Sequence, residues 1–220
     1  SQQLKDSEIM MWLLNIPLGY YCLYLDYICI HGSALLIKNK VSLFLGFSGI
    51  GKSTILSMMI DKHNIMVTED VCLIDSGTNQ PKVIPSFPII KNDNEKYFYE
   101  IGHKIDINID DKRNRSFFHV NDNFFANPEW HEIKNIYVLK SDNINSLNRL
   151  SGIEKFEKVL PHLFKIPYEK NKKIFINERI ERKLFSKLSG LLNNTNIFEI
   201  KRNANRDESL AFINKILRKK

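Results

Sequence analysis

The stretch Val41-Ser42-Leu43-Phe44-Leu45-Gly46-Phe47-Ser48-Gly49-Ile50-Gly51-Lys52-Ser53-Thr54 decides the fold of this 220-residue chain. Its first five residues form an apolar run bounded by the Asn39-Lys40 turn and by Gly46, the pattern of a buried central strand. From Thr54 to Lys62, the apolar residues Ile55, Leu56, Met58, Met59 and Ile60 suit a helix. Between strand and helix, Gly46 to Ser53 reads GxxxxGK[ST], in the context that a phosphate-binding loop demands. Glycines let such a loop wrap tightly and bring backbone N–H groups to phosphates. The helix that follows presents its positive N-terminus to the same anion. Lys52 supplies a charge for the β- and γ-phosphates, and Ser53 a hydroxyl for Mg²⁺. Gly46, Ser48, Gly49, Ile50, Gly51, Lys52, Ser53 and Thr54 are therefore the expected residues around ATP and its Mg²⁺.

Working outward, Glu69 and Asp70 stand seventeen and eighteen residues past Lys52. They are expected to end a short strand, Ile65 to Val67. A parallel pairing of that strand with Val41 to Leu45 would leave the acids in the crevice beyond the strand ends, beside the loop. One carboxylate would hold Mg²⁺ and the other would take a proton from an attacking hydroxyl. His31 ends an apolar strand ahead of the loop and, by residue type alone, reads as a satisfied core histidine. His63, His103, His119, His131 and His162 read the same way. Arg113 and Arg115 lie in a polar loop, where a cation could neutralise a transferring phosphate.

Leu18 to Leu25, Tyr27 to Ile30 and Ser33 to Ile37 read as strands, as do Val71 to Ile74, Lys104 to Ile109, Ile133 to Leu139 and Ile197 to Ile200. The last third is helical: Ile153 to Leu163 with a restart at Pro161, Ile174 to Leu192, and Asp207 to Leu217. The fold class is α/β, a mixed sheet with flanking helices and a helical C-terminal third, over one domain spanning 1–220. The content of 43% hydrophobic residues is enough for one sizeable core. A net charge of +7 and a pI of about 9.2 could point to nucleic acid. The lysines are scattered, however, and the densest cluster (Lys170, Lys172, Lys173) lacks interleaved aromatics, so a solvated face is expected and no nucleic-acid partner. Three cysteines, Cys22, Cys29 and Cys72, with no CxxC pair, speak against a disulfide framework or a zinc site and fit a reducing cytoplasm. No segment has the ~18 uninterrupted apolar residues of a membrane span; Ile9 to Leu14 is too short.

A phosphate loop does not name a reaction. Ser48 to Thr54 looks like the loop of a transport-type ATPase, and Leu150-Ser151-Gly152 echoes that family's LSGGQ signature, but Ile153-Glu154 replaces its Gly-Gln. A second resemblance covers more of the chain. Ile30-His31-Gly32-Ser33-Ala34 looks like the "LHASA" or "HG" strand end of the HPr kinase/phosphorylase catalytic domain. Fifteen positions on, GFSGIGKS from Gly46 to Ser53 is similar to that family's GDSGIGKS. Val67-Thr68-Glu69-Asp70 takes the place of its paired aspartates. Weaker echoes are Val83 to Pro88, like its proline-rich segment, and Ile136-Tyr137-Val138-Leu139, like its IYVL strand. The chain most resembles the smaller HPr-kinase-like proteins associated with peptide natural-product (lasso peptide) biosynthesis.

The resemblance implies a P-loop kinase of the HPr-kinase-like type, using ATP and Mg²⁺ to phosphorylate a hydroxyl, usually a serine. Lys52 and Ser53 carry over as phosphate and metal residues, Glu69 as the base, Asp70 as the metal partner with Ser53, and His31 as the nearby imidazole. Glu69 in place of Asp, Phe47 in place of an acidic loop residue and the lack of the family's separate N-terminal domain speak against HPr as acceptor. A serine on the precursor of a ribosomally made peptide product is the expected acceptor. A small hydroxylated metabolite is the alternative, and a homo-oligomer is left open.

Overall fold

Val41 to Leu45 is buried throughout, as its composition requires. The computed structural model describes residues 16–77, 79–92, 98, 100–105, 116–163, 168–169, 172–173 and 178–219. Its elements are α1 (Ile16–Tyr24), β1 (Ile28–Ile37), β2 (Lys40–Leu45), α2 (Lys52–Met59), β3 (Asn64–Asp75), β4 (Lys82–Ile84), β5 (Ile89–Asn92), β6 (Gly102–Ile105), β7 (Ser116–Val120) and β8 (His131–Ser141). There follow β9 (Ser146–Arg149), α3 (Gly152–Val159), β10 (Tyr168–Glu169), β11 (Lys172–Lys173), α4 (Glu178–Asn194), β12 (Asn196–Arg202) and α5 (Arg206–Lys219).

The main sheet is mixed and runs β9–β12–β8–β2–β1–β3–β4, with β4 returning to pair with the start of β8. The strands β8, β2, β1, β3 and β4 thus close into a ring. β2, β8 and β12 are mutually parallel, so Leu45, Ser141 and Arg202 end on one edge of the sheet. That edge is where ligands of such sheets bind. A smaller antiparallel sheet, β5–β7–β6, stands beside α2.

Alternation along β2 feeds two cores. Val41, Leu43 and Leu45 pack with Ile136, Val138 and the α4 residues Leu188 and Leu191. Phe44 faces the other way, toward Ile55 and Leu56 of α2 and Leu210 and Ile213 of α5. Its ring stacks on Tyr137 at 5.5 Å, and Tyr137 stacks on Phe198 at 5.6 Å. No helix among the described residues is long and apolar enough to cross a membrane. Ile9 to Leu14, Ile107 to Ile109, Arg113, Arg115 and Lys170 lie outside the described residues.

Three expectations are corrected. Leu18 to Leu25, expected as a strand, lies mostly in helix α1. Pro17 sits in its first turn, and its end is a Schellman stop: Tyr27 N–H donates to Cys22 (2.8 Å) and Asp26 N–H to Leu23 (3.2 Å). Asp26 takes the left-handed conformation, φ 72°, that glycine usually marks, so the sequence carried no stop signal. The paired short strands on either side of His31, and on either side of Glu69-Asp70, are each one continuous strand, β1 and β3. Finally, β3 does not pair with β2, because β1 lies between them, antiparallel to both. Helix α2 begins at Lys52 and ends at Met59, two and three residues before the expected limits.

Phe44→Ala would empty a fully enclosed site between Tyr137 and α2. It is expected to cost about 3–5 kcal/mol in chemical denaturation.

Candidate active site

The loop that leaves β2 is shaped by backbone rather than by side chains. Gly51, the residue before α2, has φ 95° and caps the helix without any side-chain hydrogen bond. The first turn of α2 holds no acidic residue. Its amides are therefore available to an anion, with the helix dipole behind them. Lys52 is buried and donates to the carbonyl of Gly46 at 2.7 Å, with Phe47 O at 3.5 Å. Its ammonium thus folds back across the loop's opening. Burial lowers its pKa, while the charges of Asp70 and Glu69 act the other way.

The acidic pair is delivered by a kink in β3. Register slips between Ala34↔Thr68 and Leu35↔Met66, which leaves Val67 as an extra residue. Asp70 then sits at φ 65°, in the left-handed region. The Thr68 hydroxyl donates to Val71 O (2.6 Å) across this kink and also meets the Ser86 hydroxyl. Opposite Asp70 in β1 is Gly32. A Cβ on Gly32 would stand 2.8 Å from Leu45 Cδ2 and 2.9 Å from Phe44 O. Only glycine lets β1 and β2 come this close.

Lys91, in β5, meets both acids. Its backbone N–H donates to Glu69 Oε2 at 2.9 Å, and its ammonium pairs with Asp70 Oδ2. Glu69 is 8% exposed, and its Oε1 is buried without a hydrogen-bond partner among the described residues. Ser53 stands close enough to favour the ionised form of Glu69 without completing that bond. Burial, and then the charge of Asp70, push the Glu69 carboxyl up to about 8. Burial also pushes Asp70 up, but Lys91 outweighs it, helped by His31 and Lys52, and holds Asp70 below the usual carboxylate range. The Asp70 side chain keeps 34% exposure. The two carboxylates therefore divide: one inward and open to a cation, one outward and ionised.

His31 Nδ1 lies 3.0 Å from Asp70 O, which fixes Nδ1 as the protonated nitrogen of the neutral ring. Burial lowers its pKa, and the charge of Lys52 adds to this. Lys52, Ser53, Glu69, Asp70 and His31 are thus brought to one place, although His31 lies mid-strand rather than at a strand end. Two residues of the site carried no sequence signal. Lys91 was one lysine after a proline-rich stretch. His162, given the reading of a plain core histidine, is buried with its ring 5.1 Å from the loop residue Phe47. Burial and then the charges of Lys52 and His31 lower it to about 4. The 3₁₀ turn Leu160–His162 is held there by the bridge of Leu163 to Ile30, next to His31.

No group of three or more His, Cys, Asp or Glu gathers among the described residues to hold a metal by itself. Mg²⁺ at a phosphate loop needs only one or two protein oxygens besides phosphates and water. The unpartnered Oε1 of Glu69, on a carboxyl close to Ser53, is oxygen chemistry of that kind, so the residues fit the ion.

The raised Glu69 pKa has a consequence for stability. A carboxyl whose folded pKa is raised adds stability that is complete below its unfolded pKa and lost as pH climbs toward 8. Below about pH 6.5 the depressed His31 and His162 oppose this loss, so metal-free wild-type protein is expected to lose stability between about pH 6.5 and 8, by on the order of 1 kcal/mol or more. Glu69→Gln is expected to flatten that slope. Denaturation midpoints across pH, in chelator, measure both.

No protein-family model matches this chain, and no curated protein matches it. Among solved structures it is similar to the Hpr(Ser) kinase/phosphatase from Coxiella burnetii, at 16% sequence identity and a TM-score of 0.43. That likeness covers 87% of this chain and 94% of the other.

Proposed function

We propose that residues 1–220 form a single kinase domain that transfers the γ-phosphoryl group of ATP to an alcohol hydroxyl. The observation that carries this reading is the divided acidic pair. A buried carboxyl close to the loop serine has an unpartnered oxygen, and an outward carboxylate stands next to it. Residues 46–54 would hold the phosphates, with Lys52 leaving its carbonyl contacts for the β- and γ-oxygens. Ser53 and Glu69 would hold Mg²⁺, which supplies charge neutralisation on the transferring phosphate when bound.

This reverses the order implied by the family resemblance, in which Asp70 was the metal partner and Glu69 the base. Glu69 is too enclosed to meet an incoming alcohol, whereas Asp70 is part exposed and held ionised by Lys91. In the step proposed, Asp70 accepts the proton of the hydroxyl as its oxygen bonds to the γ-phosphorus. The bond from that phosphorus to the β–γ bridging oxygen breaks, and ADP leaves with the electron pair. His31 holds the kinked backbone of Asp70 through its Nδ1 hydrogen bond. The acceptor favoured is a serine on the precursor of a ribosomally made peptide product, with a small hydroxylated metabolite as the alternative.

The transport-type ATPase is the weaker reading. Its signature echo, Leu150-Ser151-Gly152, begins helix α3, where Ser151 and Glu154 form a capping box. That role accounts for the Ser and Glu without any nucleotide.

Two outcomes test the assignment in the full chain. Asp70→Asn is expected to keep Mg-ATP affinity within a few-fold and to lower phosphoryl transfer by about 10²–10⁴. Glu69→Gln is expected to raise the Mg²⁺ concentration needed for half-maximal turnover. Calorimetry with Mg-ATP, beside mass spectrometry of candidate serine peptides for an added phosphoryl group, reads both. Wild-type transfer by Asp70→Asn would remove Asp70 as base. Lys52→Ala is expected to abolish ATP turnover, and turnover near wild type would refute the phosphate-loop reading.

A further inference from the structure

The third parallel strand also ends at the loop. β12 pairs with β8 up to Arg202↔Ser141, which brings Arg202 to the edge where β2 gives way to Gly46. Its guanidinium packs against Gly51. A Cβ there would meet Nη1 at 2.7 Å, Nη2 at 3.2 Å and Cζ at 3.3 Å. Glycine at 51 thus serves two ends: it takes φ 95° and it leaves room for the guanidinium.

This cation is short of a counter-ion. Among the described residues no carboxylate forms an ion pair with Arg202. Glu208, five residues on in sequence from Asn203, accepts from Asn203 (2.7 Å) and Asn205 (3.0 Å). Asp142 pairs with Lys201 at 3.2 Å. The charge near Arg202 is instead another cation, Arg206, whose Nη2 reaches Met58 Sδ of α2 at 3.9 Å. Burial, and then Arg206, lower the Arg202 pKa. A half-buried guanidinium that has a cation for its charged neighbour thus stands beside an uncapped helix N-terminus. Buried charges are ordinarily paired, and guanidinium matches phosphate oxygens in a two-pronged fashion.

We propose that Arg202 is a nucleotide-binding residue, gripping the phosphate chain of a nucleoside triphosphate at the Gly51 end of the loop while Lys52 serves the Gly46 end. The assignment rests on the phosphate-loop reading given above. Arg202 comes from the far end of the chain, 150 residues past Lys52, and only the β8–β12 pairing brings the two together.

The test uses the full chain, with calorimetry of Mg-ATP and Mg-ADP and thermal unfolding of the nucleotide-free protein. Arg202→Ala is expected to weaken both nucleotides about 10- to 100-fold, in line with loss of a charge-assisted hydrogen bond or two. Arg202→Lys is expected to fall between, since it keeps the charge and loses the fork. The nucleotide-free melting temperature of Arg202→Ala is expected to stay level or rise, because the variant removes a desolvated cation beside Arg206. Wild-type affinity in Arg202→Ala overturns the assignment. So does a nucleotide-free Arg202→Ala protein that melts several degrees lower, the mark of a brace under the loop. If the wild type binds neither Mg-ATP nor Mg-ADP, the phosphate-loop reading itself falls, an outcome distinct from failure of Arg202 alone.

Discussion

Two carboxyl groups side by side inside a fold do not ionise alike, and Lys91 decides that Asp70 is the one that carries the charge. It grips Glu69 through its backbone N–H and Asp70 through its ammonium. This double contact is made with Asp70 in a left-handed conformation, which the Thr68 hydroxyl and the His31 ring hold. If the kink relaxed, Glu69 would no longer face Ser53, and the inward and outward roles of the two acids would merge. The strain of one non-glycine residue at positive φ costs on the order of 1–3 kcal/mol, and such strain persists where the surroundings enforce it.

The remainder of the site is an arrangement of positive charge. Lys52 and the uncapped start of α2 meet the loop from the helix itself, and Arg202 reaches it from β12. Their convergence follows from topology: three parallel strands end on one edge, and the sheet's ring closure places β1 and β3 beside them. His162 sets a neutral imidazole against Phe47 and so packs on the loop without adding charge. An anion with several negative oxygens, accompanied by a divalent cation at Glu69, would balance the whole.

Much of this was legible in the residues. The buried strand, the glycine loop and the helix follow from apolar runs and a spaced motif, and the structure agrees with them to within a few residues. Glu69 and Asp70 could be singled out because acids close after such a loop are informative. Their setting could not: a β-bulge and a positive φ at Asp leave no periodic trace, so β3 looked like two strands. For the same reason α1 looked like a strand, since Tyr, Leu, Ile and Cys suit either state and its stop used Asp26 in place of glycine. Lys91, His162 and Arg202 were invisible because each reaches the site through a tertiary contact: the hydrogen bond of Lys91 in β5 to Glu69, the Ile30 bridge, and the pairing of β12 with β8. No local signal distinguishes them from other lysines, histidines and arginines.

The division of labour between Glu69 and Asp70 is the central claim, because on the proposed reading it would equip the glycine loop for phosphoryl transfer. It is tested most directly by anomalous scattering from a crystal grown with Mn²⁺ and a non-hydrolysable ATP analogue. The account requires a manganese peak between the Ser53 hydroxyl and the Glu69 carboxylate, with phosphates along residues 46–53 and Asp70 free of the metal. Manganese bound by Asp70 with Glu69 left uncoordinated, or a nucleotide seated away from the loop, would contradict it.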